Sequence, residues 1–378
     1  MKKKVAVLGA TGSIGKSALD VIRQGRDYFE PVLFTAHRNR DELLQLKKEF
    51  PQCPLALTDD EAAPEPRVDF HGQKGLLDAI ASSGADITVN GISGAAGLLP
   101  SQAVLNARSD LALANKETVV MAGPLIFALA EKNKARIIPV DSEHTAALKL
   151  LEAHGRENTE EIILTASGGP FRDYSMDRLA AVTPSEALAH PTWNMGPKIT
   201  VDSATLANKG LEVIEAAAYF DFPPEKIKVA IHPQSIVHSM IRLSSGAIYG
   251  QMSRPDMRLT IHEALWWPQT ESSSFGALDF DSLTLSFEKP DFHRFPMLAL
   301  AYEALNGGPL LPVLYNAANE IAVEAFFRGK IGFLEIPRIV RYVLTKGKES
   351  LMEAQSIEAV LENDRKAREL AEEAIGRE

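Results

Sequence analysis

The stretch Val5-Ala-Val-Leu-Gly-Ala-Thr-Gly-Ser-Ile-Gly15 decides the fold of the first part of the chain. An apolar run ends there in a glycine-rich turn, and a helical pattern then continues to Gln24. A dinucleotide-binding domain needs such a turn, because the backbone must approach a pyrophosphate closely and helix amides must point at it. The glycine spacing is GxxGxxG rather than the strict GxGxxG, so an ordinary glycine-rich turn is the alternative.

Short apolar runs alternate with helical patterns through the rest of the first 150 residues. The later runs predicted as strands are Val32–Thr35, Ile87–Asn90, Leu111–Ala114 and Ile137–Val140. This alternation favours a parallel sheet covered by helices, and right-handed crossovers place the carboxyl ends of all its strands at one edge, where ligands bind. We therefore predict an α/β fold with a Rossmann-like N-terminal domain over residues 1–150.

After residue 150 the pattern changes to that of an α+β domain. Strands are predicted at 162–165, from 227 to 240 and from 243 to 252, and a helix from 206 to 219. We predict a catalytic α+β domain over residues 151–268. Residues 269–296 are rich in Ser, Pro and Asp, and we predict that they connect this domain to a C-terminal helical domain over 297–378.

Composition excludes several classes of protein. Of the 378 residues, 45% are hydrophobic and 24% are charged, which is typical of soluble globular proteins and not of disordered or collagen-like chains. The net charge of −10 disfavours nucleic acid as a partner. No apolar stretch is long enough for a membrane span, and no signal-peptide pattern is recognisable. The single cysteine, Cys53, excludes an intrachain disulfide and a cysteine cage for zinc, so we expect a cytoplasmic protein.

The end of the second predicted strand indicates which dinucleotide would bind. An NAD site usually carries Asp or Glu there to hold the ribose hydroxyls. This chain instead reads Thr35-Ala-His-Arg-Asn-Arg40, with two arginines and no acid. Guanidinium groups suit a 2′-phosphate, so the sequence favours NADPH over NADH. A solvated basic loop is the alternative.

Acidic residues at three places could form a metal site. Asp141 and Glu143 follow the strand predicted at 137–140, and in an extended backbone they would share one face. Carboxylates that close repel each other unless a cation lies between them, and oxygen ligands suit Mg²⁺ or Mn²⁺. An Asp that caps a helix, with a Glu in its first turn, is the alternative. Glu212 and Glu215 share a helix face, and their spacing does not decide which of them would be the third ligand.

Small and polar residues recur in two later segments. Thr165-Ala-Ser-Gly-Gly-Pro170 ends a predicted strand with groups that can donate to an anion, and Ser203, Asn208 and Lys209 add a hydroxyl, an amide and a cation. Together they could hold a phosphate, although each is also ordinary loop chemistry. The segment His190-Pro-Thr-Trp-Asn-Met-Gly196 could be a lid that excludes water from a substrate, or a buried packing loop.

The motifs of the chain, taken together, resemble those of the 1-deoxy-D-xylulose 5-phosphate reductoisomerase family, which acts in the non-mevalonate isoprenoid pathway. The resemblance extends over nearly the whole chain. Besides residues 9–15, it is carried by Leu-Ala-Asn-Lys-Glu (113–117), Pro-Val-Asp-Ser-Glu-His (139–144), Ser-Gly-Gly-Pro-Phe (167–171), His-Pro-Thr-Trp-Asn-Met-Gly (190–196), Val-Asp-Ser-Ala-Thr-Leu-Ala-Asn-Lys-Gly-Leu-Glu (201–212), Ile-His-Pro-Gln-Ser-Ile-Val-His-Ser (231–239) and Asn-Ala-Ala-Asn-Glu (316–320).

This resemblance implies a role for each matching residue. Asp141, Glu143 and Glu212 would hold a divalent metal, Mg²⁺ or Mn²⁺, and would be catalytic together with Lys116, whereas Glu215 would be structural. The substrate would be bound by Lys116, Ser142, Glu143, Ser167, His190, Ser203, Asn208, Lys209 and Glu212. NADPH would be bound by Thr11, Gly12, Ser13, Ile14, Asn115, Glu117 and Gly196, with His37, Arg38 and Asn39 near its 2′-phosphate.

At some positions the chain departs from the family pattern. His-Arg-Asn stands at 37–39, where family members often carry Gly-Lys-Asn, so the charge is kept and the geometry changes. Ala166 stands where some members have Gly. Asn316 lies in a matching motif, and we expect it to be a helix N-cap rather than a site residue.

The implied reaction converts a small-molecule sugar phosphate, 1-deoxy-D-xylulose 5-phosphate, to 2-C-methyl-D-erythritol 4-phosphate by skeletal rearrangement and then hydride transfer from NADPH. The family also implies a homodimer. An acylating semialdehyde dehydrogenase would instead need a cysteine nucleophile, and Cys53 lies between Pro51 and Pro54 in the cofactor half. A homoserine-type dehydrogenase would not need three acids with a metal. A non-catalytic NADP-binding sensor would have no use for the three acids.

Overall fold

The structure, a computed structural model, describes residues 1–59, 65–189, 192–193, 195–348 and 355–376. The chain divides into two compact units, each built from separate segments. The first unit comprises Met1–Thr118, Ile126–Ser142 and Asp256–Gly276. The second unit comprises Val119–Leu125, Glu143–Pro255 and Ala277–Glu378. The domain boundaries at 150, 268 and 296 stay predictions.

A seven-stranded parallel sheet organises the first unit. Its strands are β1 (Lys3–Leu8), β2 (Phe29–Ala36), β3 (Leu55–Leu57), β4 (Phe70–His71), β5 (Ile87–Asn90), β6 (Asp110–Leu113) and β7 (Ile137–Pro139). Their order is β4-β3-β2-β1-β5-β6-β7, so the predicted Rossmann-like fold is confirmed. The two short strands β3 and β4 at one edge were not predicted, because three and two residues are too few to show an alternating pattern.

The helices of the first 140 residues follow the strands in turn. They are α1 (Ser13–Gln24), α2 (Arg40–Glu49), α3 (Gly72–Ser82), α4 (Leu98–Asn106) and α5 (Lys116–Asn133). Helix α1 buries Ala18, Leu19 and Ile22 in the core, at the spacing of one helix face. Helix α5 has a kink at Ala122, two residues before Pro124, where proline cannot donate the usual backbone hydrogen bond.

The second unit contains a four-stranded sheet. Its strands are β8 (Thr159–Ala166), β9 (Ile227–Ile231), β10 (Val237–Leu243) and β11 (Ile248–Met252), in the order β11-β10-β8-β9. Strands β8 and β9 are parallel, and the other pairs are antiparallel. The stretch predicted as extended from 227 to 240 forms two strands, which are separated by a turn that contains Pro233 and the left-handed residue Ser235.

The remaining helices include a C-terminal helical region, which confirms that part of the predicted fold. They are α6 (Ser142–His154), α7 (Met176–Ala180), α8 (Pro184–Ala187), α9 (Pro197–Thr205), α10 (Ala207–Phe220), α11 (Met257–Trp266), α12 (Met297–Asn306), α13 (Leu311–Phe327), α14 (Glu335–Gly347) and α15 (Ile357–Gly376). Helix α13 lies at the centre of the last four and packs against α12, α14 and α15. Among the residues described, no helix combines the length and apolar character needed to cross a membrane.

Helix α11 belongs to the first unit although it follows the second sheet in sequence. It packs against α1, and its buried Ile261, Ala264 and Leu265 join the same apolar core as α1 and β1. The ammonium group of Lys3 in β1 donates to the carbonyl oxygen of Leu265 at 2.8 Å. The core of the first unit is therefore completed by a late segment of the chain.

The expectation that Asn316 is a helix N-cap is wrong. Helix α13 begins at Leu311, with Pro312 in its first turn, where proline is favoured. Asn316 is therefore inside the helix and fully buried, and its amide donates to Glu320 Oε1 at 3.2 Å.

Cys53 is expected to react slowly with thiol reagents in the folded protein. The residue is buried, and burial raises the pKa of its thiol to about 12. Because the thiolate is the nucleophile, we expect iodoacetamide at pH 8 to label the native protein at least about 100-fold more slowly than the urea-unfolded protein. Mass spectrometry of timed samples measures both rates, and equal rates would contradict the buried position.

Candidate active site

In the glycine-rich turn after β1, neighbouring backbone atoms lie so close to two of the glycines that these positions accept no side chain. Gly9 has a φ of +76°, and a Cβ there would lie 3.1 Å from the carbonyl oxygen of Gly91. A Cβ at Gly15 would overlap the backbone of Gly9 and Ala10. Helix α1 begins directly after this turn with Gly12 as N-cap, and no side chain caps its first amides. The turn therefore offers a helix N-terminus to an anion, as the fit of a pyrophosphate requires.

The sheet order places a ligand crevice beside this turn. Strand β1 lies between β2 and β5, so successive connections leave it in opposite directions, which is where such sheets bind dinucleotides. Thr11, Gly12, Ser13 and Ile14 all lie in the turn or at the start of α1. The structure thus brings these four predicted cofactor residues together at the carboxyl edge of the sheet.

Asn115 is a fixed part of the same edge. Its side chain caps α5 by accepting from the Thr118 amide at 2.9 Å, and it donates to the carbonyl oxygens of Ile92 at 2.7 Å and Gly94 at 2.9 Å. It also donates to Glu117 Oε2 at 2.9 Å. Asn115, with Glu117 as a further partner, therefore holds the segment after β5 in place. The contact of both residues with NADPH stays a prediction.

A second buried amide supports that segment and was missed from the sequence. Asn90, the last residue of β5, is fully buried and donates to Ser101 Oγ at 2.8 Å and to the Gly97 carbonyl oxygen at 3.1 Å. Its own side-chain oxygen accepts from the Ile92 amide at 3.1 Å. Its position at the end of a predicted strand was the available signal, because the carboxyl ends of parallel strands form the ligand edge of such a sheet.

The three residues at the end of β2 differ in the exposure and the hydrogen bonds of their side chains. The Arg38 side chain is 72% exposed, and its Nε lies 3.8 Å from Asp59 Oδ2. His37 Nδ1 lies 3.1 Å from Thr58 Oγ1, and Asn39 caps α2 by accepting from the Glu42 amide. Arg38 is thus the side chain of the three that can reach outward to a phosphate. Asp59, which follows β3, is an acid at this edge that the sequence analysis did not consider.

Three carboxylates lie together at the start of α6 and on α10. Asp141, Glu143 and Glu212 each offer an oxygen, and these oxygens all lie within 4.8 Å of one another. Asp141 and Glu212 are buried, and Glu143 is half-buried. Carboxylates this close in a buried place need a cation, and an all-oxygen donor set fits Mg²⁺ or Mn²⁺. The residues present therefore fit a divalent metal ion.

Two lysines contribute positive charge to the same group. Lys116 Nζ, at the start of α5, lies 2.5 Å from Asp141 Oδ2. Lys209 Nζ pairs with Glu212 Oε2 and lies 3.9 Å from Glu143 Oε2. Both lysines are buried, so their ammonium groups interact with these carboxylates rather than with solvent.

The expectation of an extended backbone through Asp141 and Glu143 is wrong. Strand β7 ends at Pro139 and α6 begins at Ser142, so Glu143 lies in the first turn of a helix directly after Asp141. The two acids nevertheless converge, because the start of the helix turns the chain within those three residues. The positive end of the helix dipole also favours carboxylates there.

The structure separates the two acids of α10. Glu212 joins Asp141 and Glu143, whereas Glu215 Oε2 lies 3.8 Å from His144 Nδ1. His144 Nε2 is 3.0 Å from the carbonyl oxygen of Glu212. The structure therefore groups Glu212 with Asp141 and Glu143 and places Glu215 beside His144, and the role of Glu212 as the third metal ligand stays a prediction.

Two histidines of the segment 231–239 have different surroundings. His238 Nδ1 lies 3.8 Å from Glu143 Oε1, and its Nε2 is 2.9 Å from Ser253 Oγ. His232 Nδ1 is 2.8 Å from the carbonyl oxygen of Ser286, and burial lowers its pKa. His238 therefore lies beside the three carboxylates, and His232 connects β9 to the segment before α12.

The predicted phosphate-binding residues of the second unit that the structure describes lie after β8, on α9 and at the start of α10. Ser167 directly follows β8, and its Oγ accepts from the Gly169 amide at 3.2 Å. Gly169 has a φ of +70°, and a Cβ there would lie 2.7 Å from the carbonyl oxygen of Ser203 at the end of α9. Leu206, with a φ of +63°, then turns the chain into α10, whose first residues include Asn208 and Lys209. The structure thus places the turn that contains Ser167 and Gly169 against the backbone of Ser203.

Part of the predicted lid lies outside the described residues. His190, Pro191 and Asn194 are not among them, so the prediction for His190 rests on the sequence alone. The ring of Trp193 lies 6.4 Å from the ring of His238. Gly196 is the N-cap of α9, and its carbonyl oxygen accepts from the Thr200 amide at 3.1 Å. The lid and the NADPH contact of Gly196 stay predictions.

Family models match three parts of the chain. The model described as 1-deoxy-D-xylulose 5-phosphate reductoisomerase matches residues 5–123. A model of the C-terminal domain of that enzyme matches residues 137–220, and a second C-terminal domain model, described as DXP reductoisomerase, matches residues 252–370.

Individual proteins are similar over almost the full length. The 1-deoxy-D-xylulose 5-phosphate reductoisomerase of Treponema denticola is 46% identical, with 98% of this chain and 96% of that protein covered. The solved structure of the Zymomonas mobilis enzyme in complex with NADPH is 40% identical, with 99% of both chains covered and a TM-score of 0.89. A DOX-P reductoisomerase in complex with NADPH, fosmidomycin and magnesium is 36% identical, with coverage of 99% and 98% and a TM-score of 0.93.

Proposed function

The chain belongs to the 1-deoxy-D-xylulose 5-phosphate reductoisomerase family, and on that premise we propose how its own residues perform the reaction of the family. The enzyme converts 1-deoxy-D-xylulose 5-phosphate to 2-C-methyl-D-erythritol 4-phosphate and depends on NADPH and a divalent metal ion. The observation that carries the proposal is the group Asp141, Glu143 and Glu212, because three converging buried or half-buried acids have no use in a protein that only binds a dinucleotide.

NADPH, which supplies the hydride when it is bound, is assigned to the glycine-rich turn and the end of β2, with Asn115, Glu117 and Gly196 as further predicted contacts. Thr11, Gly12, Ser13 and Ile14 would hold its pyrophosphate at the start of α1. Arg38 would bind the 2′-phosphate, with His37 and Asn39 beside it. The complex of the Zymomonas mobilis enzyme with NADPH supports this assignment.

The divalent metal ion is assigned to Asp141, Glu143 and Glu212, and when bound it polarises the oxygens of the substrate. Lys116 and Ser142 would contact the substrate beside these acids. Lys116 already lies against Asp141, so its ammonium group would be available where negative charge develops on a substrate oxygen. The magnesium in a solved relative supports the assignment.

The substrate phosphate is assigned to Ser167, Ser203, Asn208 and Lys209, with His190 as a further predicted contact. Hydroxyl, amide and ammonium donors of this kind bind a phosphate dianion through charge-assisted hydrogen bonds. Because the phosphate does not react, its binding energy can hold the reacting carbons in position. Asn208 also donates to Glu212 Oε1 at 2.6 Å, which links the phosphate residues to the acids on one helix.

The direct test is consumption of NADPH, followed by its absorbance, with 1-deoxy-D-xylulose 5-phosphate and Mg²⁺ or Mn²⁺. We expect turnover that stops with a chelator and is much slower with NADH. Binding of NADPH without turnover under either metal would contradict the proposed reaction.

Arg38→Ala is expected to raise the KM for NADPH by about tenfold or more, because an exposed guanidinium that binds a phosphate contributes roughly 1.5–3 kcal/mol. The KM for NADH should change less than twofold. Arg26→Ala is the matched control, since Arg26 is also exposed and precedes β2, at the opposite edge of the sheet. Equal effects of both variants on NADPH would contradict the assignment.

A homodimer through β11 is part of the proposal. Strand β11 is at the edge of its sheet, and Ile248, Tyr249 and Met252 on it are exposed. Exposed apolar edge strands pair readily with a second copy. We expect sedimentation to give a dimer mass, and Tyr249→Lys to shift the equilibrium toward monomer. A monomeric wild-type protein at micromolar concentration would contradict this part.

A cytoplasmic location is also proposed, because a long chain with one buried cysteine suits a reducing compartment. Fractionation of cells that express the protein tests it, and recovery with a periplasmic or extracellular marker would contradict it.

A further inference from the structure

A fully buried carboxylate adjoins the phosphate residues and is not used by the proposed reaction. Asp202 lies on α9 next to Ser203 and is 1% exposed. Its Oδ1 accepts from Asn319 Nδ2 of α13 at 2.8 Å, and its Oδ2 lies 2.9 Å from Lys198 Nζ, one helical turn earlier. A buried charge is kept only where partners satisfy it. Lys198 is such a partner within α9, and the hydrogen bond from Asn319 joins α9 to α13.

A second close contact holds the next helix. Gly210 lies on α10 beside Lys209, and a Cβ there would lie 2.7 Å from the hydroxyl of Tyr315 and 2.7 Å from the Cβ of Ala301. The Tyr315 hydroxyl donates to the carbonyl oxygen of Met297 at 3.2 Å. Helix α10 therefore lies against α12 and α13 at a distance that only glycine permits.

The Asp202–Asn319 hydrogen bond and the close packing at Gly210 each lie next to a residue assigned to the substrate phosphate. Asp202 adjoins Ser203, and Gly210 adjoins Lys209. Only Leu206 joins α9 to α10, and its left-handed conformation makes a sharp turn there. Besides their contacts with each other, α9 packs against α13, and α10 packs against α12 and α13.

We propose that Asn319 is a positioning residue for substrate phosphate, acting through Asp202 on Ser203, and that Tyr315 and Ala301 do the same for Lys209 through Gly210. The proposal rests on the proposed function of the same site and extends it to the C-terminal helices. A phosphate-binding group misplaced by about 1 Å loses much of its effect. Loss of the anchor should therefore weaken phosphate binding more than NADPH binding, because Gly196 at the start of α9 is the one predicted NADPH residue on the affected helix.

The test compares Asn319→Ala with Asn363→Ala. Asn363 is a buried amide of α15, a helix that packs against α13 and α14, so its removal controls for loss of stability in the same helices. We expect Asn319→Ala to raise the KM for 1-deoxy-D-xylulose 5-phosphate by about tenfold and the dissociation constant of inorganic phosphate, measured by calorimetry, by a similar factor. Both constants, and the KM for NADPH, should change less than twofold in Asn363→Ala. In Asn319→Ala the KM for NADPH should rise clearly less than the KM for substrate.

A double-mutant cycle separates positioning from general destabilisation. If Asn319 acts through Ser203, the variant that combines Asn319→Ala with Ser203→Ala should raise the KM for substrate by clearly less than the product of the two separate factors. Multiplicative effects, or an equal rise of both substrate constants in Asn319→Ala, would overturn the inference.

A second variant covers the case in which Asn319→Ala does not fold. Gly210→Ala should raise the same KM, and adding Ala301→Gly with Tyr315→Phe should restore it, because both atoms nearest the new Cβ are then removed. Absence of that rescue would contradict the proposal. If the wild-type protein consumes no NADPH with the substrate, the proposed function is wrong, and the phosphate affinities of the variants still decide the positioning role.

Discussion

Glu212→Gln is expected to lower kcat with 1-deoxy-D-xylulose 5-phosphate by about a thousandfold or more, while the dissociation constant for NADPH stays within about twofold. Glutamine has the size of glutamate and no charge, so it fills the same buried place beside Lys209 and Asn208 but leaves the metal with two acids. The affinity for Mn²⁺, measured by electron paramagnetic resonance without substrate, should fall as well. Turnover and NADPH titration complete the measurement.

Glu215→Gln is the matched control for this prediction. Glu215 lies on the same helix, is equally buried and lies beside His144 rather than in the carboxylate group. We expect it to lose less than tenfold in kcat and to keep its Mn²⁺ affinity. Equal losses of NADPH affinity and turnover in Glu212→Gln, or equal behaviour of the two variants, would argue against a metal role for Glu212.

Gly169→Ala is expected to destabilise the protein by about 2–5 kcal/mol and to abolish most substrate binding. A non-glycine residue in the left-handed region costs about 1–2 kcal/mol, and the overlap with the Ser203 carbonyl oxygen adds a packing cost of about 1–3 kcal/mol. Relief of this overlap would separate the turn that contains Ser167 from the backbone of Ser203, and both serines are assigned to phosphate. Thermal unfolding and the KM for substrate are the two readouts.

Gly246→Ala separates the two costs. Gly246 also has a positive φ, +86°, but a Cβ there would meet nothing within 4 Å. It should therefore show the conformational cost of about 1–2 kcal/mol and an unchanged KM. If Gly169→Ala behaves like this control, then the contact between the Ser167 turn and the end of α9 has no part in binding.

The parts of the fold that could be predicted are those encoded locally. The run from Val5 to Gly15 contains a strand, a turn with two glycines that accept no side chain and a helix start, all within a few residues. The acids at 141–143 could have been interpreted better, because Ser and Asp before a helical pattern are typical of a helix start. That signal was the stated alternative to an extended backbone, and the position of α6 agrees with the alternative.

Other features depend on contacts that are distant in sequence. The choice between Glu212 and Glu215 required the position of α6, and the pair Asp202–Asn319 joins residues 117 positions apart. No spacing rule relates such residues, because their proximity follows from the packing of whole helices. Burial of Asn319 could not be predicted either, since a polar residue in a helical pattern is ordinarily assigned to the solvent face.

The late return of α11 to the first unit bears on how the protein is made. During synthesis, residues 1–142 emerge from the ribosome well before Asp256–Gly276 has been made. At about 5–20 residues per second, this delay is on the order of ten seconds. During that time the nascent sheet lacks Ile261, Ala264 and Leu265, so the apolar side of α1 that they will cover is open to chaperones or to other chains. An N-terminal fragment that stops at residue 150 would keep that surface permanently, and its solubility would then report on α11 rather than on the dinucleotide fold itself.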